Sequence, residues 1–502
     1  MSNRAYTILA AVVIISSLLA AASYGQNEPN KPNEPNHFSA AALGPVPDQV
    51  LGVIRSTDNR HIVIVAAKGT NKMQAFIDGR AELEYDEIGQ GSIIFSPDGN
   101  HLAYSAKNNG KWFVVADGKA GPEYDTIGKD TIIFSPDSKR LAYAASKGIY
   151  WMVVTDGRVG QQYDSIVTKG SLFSPNSKRT AYAAHRNNKL LVVIDGNAQQ
   201  EYDSIAAIVF SPDGKRVAYS AQKNKKQVVV VDGIAGAGYD GIAEGTPIFS
   251  PNSRHITYVI KKGYKWQTVV DVNTGPEYDG IGKGLPPVFS PDGTRIAYVA
   301  RKDYKWLVVI DGNAQPEYTD IWAGSIVFSP DSKRVAYAAG KGGKWVAVVD
   351  GQAQAEYDNI RDGVIIFSPD SKRLAYVAQN GGKWTAVIDG QAGTEYYGLG
   401  GIAFSPDSKR IAYVVQKGMK RVVVVDGALG PEYDDISAPI FSMDSKNTAY
   451  GSRDNSKSYI VVNDNAGPEW DGIVCGPATS GENGFEAILA RSGVLYRVLW
   501  KP

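Results

Sequence analysis

Short apolar runs separated by Gly-, Asp- and Ser-rich turns fill the chain from Leu43 onward, and one stretch shows their logic. Ile132-Ile133-Phe134 is an apolar run of strand length. Ser135-Pro136-Asp137-Ser138 is a type I turn, with Pro where its fixed φ is wanted and Asp after it. Residues 140–145 form a second strand, Lys147-Gly148 a loop, and residues 150–154 a third strand of aromatic and β-branched residues. Asp156-Gly157 opens another turn, and Gln162-Tyr163-Asp164-Ser165-Ile166 reads as a fourth strand. Four short antiparallel strands cannot cover both of their own faces. Stacked radially on copies of themselves they can, which is the blade of a β-propeller.

The copies are present. The tag Phe-Ser-Pro-Asp recurs with Phe at 95, 134, 173, 210, 249, 289, 328, 367, 404 and 441, in steps of 37 to 40 residues. Asn176 and Asn252 replace the Asp, and Met443 replaces the Pro. A degenerate copy, Arg55-Ser56-Thr57-Asp58-Asn59-Arg60, precedes the first full tag. Each hairpin turn reverses the chain inside the unit, so a solenoid or β-helix fits less well than a propeller.

The ends of the repeat region complement each other. Leu43-Gly44-Pro45-Val46-Pro47-Asp48-Gln49-Val50 aligns with Leu429-Gly430-Pro431-Glu432-Tyr433-Asp434-Asp435-Ile436, which predicts that residues 42–50 are a fourth strand. At the far end Ile473-Val474, residues 485–490 and residues 494–500 read as strands one to three, with no fourth. The first strand is therefore expected to complete the last blade. Residues 42–502 hold twelve units of about 38 residues, a large propeller in one ring closed by a shared blade. The alternative is two six-bladed propellers in tandem.

The tag Phe-Ser-Pro-Asp-(Gly/Ser)-Lys-Arg-(hydrophobic)-Ala-Tyr, clearest at residues 210–219 and 328–337, resembles the WD40-like repeat known as PD40, found in TolB-type exported proteins. The resemblance covers nearly all of residues 42–500 and implies a propeller fold. This chain departs from the TolB pattern in lacking an obvious N-terminal α/β domain and in having about twice the usual six blades.

Residues 1–25 read as a secretory signal: Arg4 supplies the positive start, residues 6–22 the apolar stretch, and Ser23-Tyr24-Gly25 the small residues of a cleavage site. Residues 26–41, rich in Asn, Pro and Glu, read as a low-complexity linker. An exported protein, periplasmic or extracellular and without a membrane span after cleavage, is the expectation. Composition adds exclusions. The chain is 43% hydrophobic and 21% charged, ordinary for a folded protein. Lys+Arg is 53 and Asp+Glu 52, so no global excess points to nucleic acid. Cys475 is the only cysteine, which excludes an intramolecular disulfide framework and any multi-cysteine zinc site. Cys475 follows Ile473-Val474 and is expected to be a small buried thiol.

Candidate chemistry is sparse. Ser-Pro-Asp-Gly lacks the alternating acids and distal Glu of a calcium loop. The Glu-Tyr-Asp pairs, such as Glu123 with Asp125 and Glu432 with Asp434, have the spacing of paired acid/base groups. They recur in most units, whereas a catalytic pair is normally unique, and their Tyr residues are expected to pack between blades. The five histidines (His37, His61, His101, His185, His255) are scattered. Neither a Gly-x-Ser-x-Gly elbow nor a phosphate-binding loop occurs. No catalytic, cofactor-binding or metal residue is assigned.

The loops between strands two and three are basic in almost every unit. Their candidate ligand residues are Lys111, Lys147, Lys189, Lys226, Lys265, Lys305, Lys344, Lys383 and Lys420. Strand parity puts these loops on the same side as the links between blades, where Lys129, Lys169 and Lys283 lie. The other side carries the Ser-Pro-Asp and Asp-Gly turns, so a dipolar disc with one anion-binding face is expected. The function expected is a non-catalytic, monomeric binding or scaffold module for an anionic polysaccharide or acidic protein. The alternatives are a glycan-active lyase or hydrolase with an axial site, and a TolB-like envelope interaction protein.

Overall fold

The computed structural model describes residues 38–45, 49–56, 60–69, 71–167, 172–481 and 483–502. The expected signal, and the expected linker up to residue 37, lie outside the described residues. Among the described residues the chain is all β apart from one 3-10 turn at Gly282–Gly284. It forms twelve antiparallel sheets, the blades of a β-propeller. Blades 1 to 11 span residues 50–85, 87–120, 126–159, 165–202, 204–235, 241–274, 280–314, 320–357, 359–396, 398–433 and 435–466; blade 12 joins 472–500 to 38–45. Two compact units divide the chain, Glu87–Ile365 on one hand and the flanking residues up to Asp86 with Ile366–Pro502 on the other.

A blade has four strands because its sequence has four apolar runs, but their limits differ from the sequence pattern. In blade 3 the first strand is split into Thr126–Ile127 and Ile133–Phe134, both paired with Leu141–Lys147. Tyr150–Thr155 follows, then Arg158–Val159, and Tyr163 bridges back to Trp151. The expected fourth strand at 162–166 therefore divides. Tyr163 ends blade 3, and Ser165–Val167 opens blade 4.

The same division corrects the N-terminal strand. Phe38–Pro45, rather than 42–50, pairs with Val494–Trp500, Phe38 opposite Trp500 and Pro45 opposite Val494. Val50–Arg55 instead opens blade 1. The segment aligned with it straddles two blades in the same way, Ala428–Tyr433 closing blade 10 and Asp435–Ile436 opening blade 11. Blade 1 packs on blade 12 through Ile62, Ile64, Ile488, Ala490 and Leu495. That contact joins the first and last blades within one compact unit.

The core lies between blades. Tyr124 and Val114 of blade 2 pack with Tyr143, Ala145, Met152 and Val154 of blade 3, and Val308 and Tyr318 of blade 7 pack with Tyr337, Val346 and Val348 of blade 8. At several interfaces the link Tyr meets the second-strand Tyr of the next blade edge to face. Tyr124–Tyr143 centroids are 6.1 Å apart, and Tyr202–Tyr219 also 6.1 Å. Each such pair adds roughly 0.5–1.5 kcal/mol to its area burial.

A second-strand length, such as Leu141–Lys147, separates two edges of each blade by roughly 20 Å at about 3.3 Å per residue. One is the turn edge, where the Ser-Pro-Asp turns lie. Ser135 there donates its hydroxyl to Asp137 Oδ1 (2.6 Å) and accepts the Arg140 N–H (3.0 Å). Arg140 pairs with Asp156 of the Asp-Gly turn at 2.9 Å and lies over Phe173 of blade 4. His61, His101 and His255 occupy this Arg position in their blades, each with Nδ1 within 2.8 Å of the matching Asp. Three of the five histidines thus hold a repeat position.

The fourth turn residue is Ser or Gly, and at two of the Gly turns the preceding blade differs to match. It sits at positive φ, 64° for Ser138 and 70° for Gly214, a region that disfavours a side chain. Where it is Ser, its Oγ accepts the backbone N–H of the preceding blade's Asp: Asp137 to Ser177, Asp213 to Ser253 and Asp292 to Ser332, each 2.9 Å. At Gly214 and Gly293 the preceding blade carries Asn instead. Asn176 Nδ2 donates to the carbonyl of Asp213 (2.7 Å), and Asn252 Nδ2 to that of Asp292 (2.8 Å). A Cβ on Gly214 would meet Asn176 Cγ at 2.4 Å. Asp-before-Ser and Asn-before-Gly are two mutually exclusive latches.

Two predictions follow from closure and latching. Removal of residues 38–45 leaves Val494–Trp500 as an unpaired edge. The truncated protein should melt at lower temperature and self-associate by light scattering; an unchanged melt and a monodisperse species would contradict the shared blade. Gly214→Ser alone should cost about 1–3 kcal/mol through overpacking. Combined with Asn176→Asp it should recover most of that loss, because the Asp–Ser latch is rebuilt. Additive losses in urea unfolding would show that the two turns are not coupled.

Candidate binding edge

The other edge carries the hairpins between strands two and three and the links between blades. Its hairpins set like charges opposite one another, as in Lys262 against Lys265, Lys302 against Lys305 and Lys417 against Lys420. Directly opposed like charges repel, and the link carboxylates answer them. Lys111 pairs with Asp125 (2.5 Å), Lys189 with Asp203 (2.5 Å), Lys226 with Asp240 (2.6 Å) and Lys265 with Asp279 (2.6 Å). Lys344 pairs with Asp358, and Lys420 with both Asp434 (2.9 Å) and Asp454 (2.6 Å). Where the residue after the link Tyr is not Asp, the lysine turns to the preceding Glu: Lys305 to Glu317 (3.8 Å) beside Thr319, and Lys383 to Glu395 (3.9 Å) beside Tyr397. In blade 3 Tyr150 takes the position of these lysines, and Lys147, opposite it at the end of the second strand, acts on Asp125 electrostatically.

The link Asp does a second thing. Its other oxygen accepts a backbone N–H from the next blade's hairpin: Asp125 from Gly148 (2.7 Å), Asp240 from Gly263 (2.7 Å), Asp279 from Asp303 (2.9 Å) and Asp434 from Asn455 (2.9 Å). The Glu-Tyr-Asp carboxylates thus have separate partners, Glu432 holding Lys417 (2.8 Å) while Asp434 holds Lys420. They are pins between blades. The uniformly basic face expected from the lysines alone is instead an edge where most described cations are matched by carboxylates. Lysine counting missed this because the matching Asp lies fourteen residues downstream, as Lys111 and Asp125 do.

These contacts shift the groups in the expected directions. The Lys111, Lys226 and Lys265 ammonium groups hold Asp125, Asp240 and Asp279 below the usual carboxylate range, with the hairpin N–H groups adding to it. At the turn edge the Ser290 hydroxyl and the Thr294 N–H bring Asp292 down to about 2. A carboxylate with a depressed folded pKa stabilises above its unfolded value of about 3.9 and loses that contribution as pH falls through the folded value. The melting temperature should therefore fall steeply below about pH 4. The triple variant Asp125→Asn, Asp240→Asn, Asp279→Asn should start lower at pH 7 and fall less between pH 4 and pH 2. An identical acid slope would refute the pin role.

Blade 12 departs from the repeat. Glu486 is buried and bonded to Arg497 at 2.7 Å. Cys475 is half-buried rather than fully buried, at the seam with blade 1. Burial pushes its thiol up, and neighbouring Arg55 opposes that. Among the described residues, groups of three or more His, Cys, Asp or Glu with metal-binding geometry do not occur.

The fold defines a β-propeller of twelve blades. No family model matches the chain, and no curated protein matches it in sequence. Matches to solved structures number 450 chains. One is titled a crystal structure of the eukaryotic initiation factor, with 15% identity over 66% of this chain and 96% of that one and a TM-score of 0.35. Another is TolB from Acinetobacter baumannii, with 15% identity over 59% of this chain and 78% of that one and a TM-score of 0.23. At these values neither likeness carries the functional argument, which rests on the blades themselves.

Proposed function

We propose that this chain is an exported binding or scaffold module of PD40 type. Its hairpin edge holds an anionic partner, an acidic polysaccharide or acidic protein, without catalysis. The observation that supports this is the repetition of exposed cations at one position of successive blades, while the described link carboxylates are tied to lysines and hairpin N–H groups. Groups committed in this way hold the scaffold and are poor candidates for general acid or base work. Export rests on the sequence of residues 1–25. Among the described residues, no helix is long and apolar enough to cross a membrane.

Many weak cations on one edge sum to a field screened over about 10 Å at 0.1 M salt. Binding to polygalacturonate or dextran sulfate should therefore weaken steeply as salt rises. Replacing Lys265, Lys305, Lys344 and Lys383 by Glu should abolish it without unfolding the protein, since surface changes cost little. The same change at Lys139, Lys215, Lys333 and Lys409, at the turn edge, should matter far less. Salt-independent binding, or equal losses from both sets, would overturn the reading.

A further inference from the structure

Repetition makes its exceptions informative, and the hairpin edge has one. In blade 10 all three hairpin cations are answered: Lys417 by Glu432, Lys420 by Asp434 and Asp454, and Arg421 by Asp435. In blade 1 the two are answered as well, Lys68 by Glu84 and Lys72 by Asp86. Blades 5, 6 and 7 differ. Their hairpins, residues 222–227, 261–266 and 300–306, hold nine Lys or Arg and one carboxylate, Asp303. Lys225, Lys262 and Lys302 are exposed and have no ion-pair partner among the described residues. Lys261 lies 5.7 Å above Trp266, and Arg301 5.7 Å above Trp306.

The three hairpins lie side by side. Asp240 holds Lys226 of the blade 5 hairpin with one oxygen and the Gly263 N–H of the blade 6 hairpin with the other. Asp279 joins Lys265 of blade 6 to the Asp303 N–H of blade 7 in the same way. At the tips stand Tyr264 and Tyr304, 94% and 95% exposed. Tyr304 has φ 68°, a left-handed position where blades 8 and 9 place Gly343 and Gly382. A bulky residue there is costly, and this one gains no packing in return. Two bare aromatic rings flanked by unanswered ammonium groups recur at the spacing of successive blades.

We propose that the hairpins of blades 5–7 form a docking strip for an acidic polysaccharide, with sugar rings stacking on Tyr264 and Tyr304 and carboxylates meeting Lys225, Lys262 and Lys302. This rests on the polyanion-binding reading above and narrows it to one strip and one ligand. Charge complementarity requires an anion. The regular blade spacing suits a polymer whose units repeat, because several weak contacts at matched spacing add up through multivalency. Asp240 and Asp279 stand between the cations, which favours an anion with spaced charges over a continuous run of phosphates. An aromatic face with a polar rim suits a ligand that is part apolar and part hydroxylated.

The test uses the full chain and polygalacturonate as probe, with poly(dT) and uncharged dextran alongside, by calorimetry at low salt. Tyr264→Ser with Tyr304→Gly should weaken polygalacturonate binding about tenfold or more, as loss of aromatic anchors does. Its melting temperature should be unchanged or higher, since Gly relieves the left-handed backbone at 304. Lys225→Glu, Lys262→Glu and Lys302→Glu together should abolish binding, whereas Lys139→Glu with Lys333→Glu at the turn edge should change it less than about twofold. Retained binding in both strip variants, with loss when Lys265, Lys305, Lys344 and Lys383 are replaced by Glu, would overturn the strip while leaving the polyanion reading intact. Tighter binding of poly(dT) than of polygalacturonate would overturn the choice of ligand. If the unmodified protein binds no polyanion at all, the broader reading falls, and the strip with it.

Discussion

A four-stranded sheet of about 38 residues that is apolar on both faces has no hydrophobic core of its own, and the remaining structure answers that constraint. Most third strands end in apolar β-branched residues, longest in Val228-Val229-Val230-Val231 and Val422-Val423-Val424-Val425, because the centre of the strand is covered on both faces. Within each compact unit the buried clusters straddle blades rather than fill them. Stability is then a sum over interfaces, as in other repeat proteins. It also explains why the last blade borrows Phe38–Pro45: three strands would leave an open edge.

Hydrophobic burial alone does not fix how one blade is set against the next, since flat aliphatic faces can slide. Polar latches at the two ends of each interface supply that setting. At the turn edge a Ser in an unfavourable left-handed conformation is retained because its hydroxyl takes the neighbour's backbone N–H. At the hairpin edge a link Asp binds a lysine of its own blade and an N–H of the next. Both devices satisfy backbone groups that would otherwise have only water. Each ion pair on its own is worth little in solvent; the directional hydrogen bonds beside it set the geometry.

The fold was legible because the tag is a turn followed by a strand, and turn chemistry is local. Phe-Ser-Pro-Asp with a Tyr two residues into a strand needs no tertiary knowledge to be recognised, and its regular return gave the blade count. Boundaries at the links were less legible. Tyr163-Asp164-Ser165 looks like one strand because both halves are extended; only the tertiary pairing of Tyr163 with Trp151 and of Ser165 with His185 splits it. The candidate lysines were found, but their carboxylate partners were not, because Lys111 and Asp125 sit on different segments that only the fold brings together. Asn176 and Asn252 looked like neutral variants for the same reason: their meaning lies in Gly214 and Gly293, a whole blade away.

A repeat selected for stacking should use, at each position, whichever residue the interface wants, so positions that break the interface's own rules carry the functional information. Tyr304 breaks the rule for a left-handed turn position and buries nothing. Lys225, Lys262 and Lys302 break the rule that hairpin cations are matched by carboxylates. Lys147 of blade 3 also lacks an ion pair among the described residues, but the three consecutive hairpins of blades 5 to 7 share their breaches and are held together by Asp240 and Asp279. A net charge of +1 conceals them completely, because a local excess of cations is balanced elsewhere along the chain. Solubility would be served as well by lysines spread over every blade. It gives no reason to bring exposed aromatic rings and unmatched cations together on neighbouring tips, where an anionic ligand with apolar faces would find both.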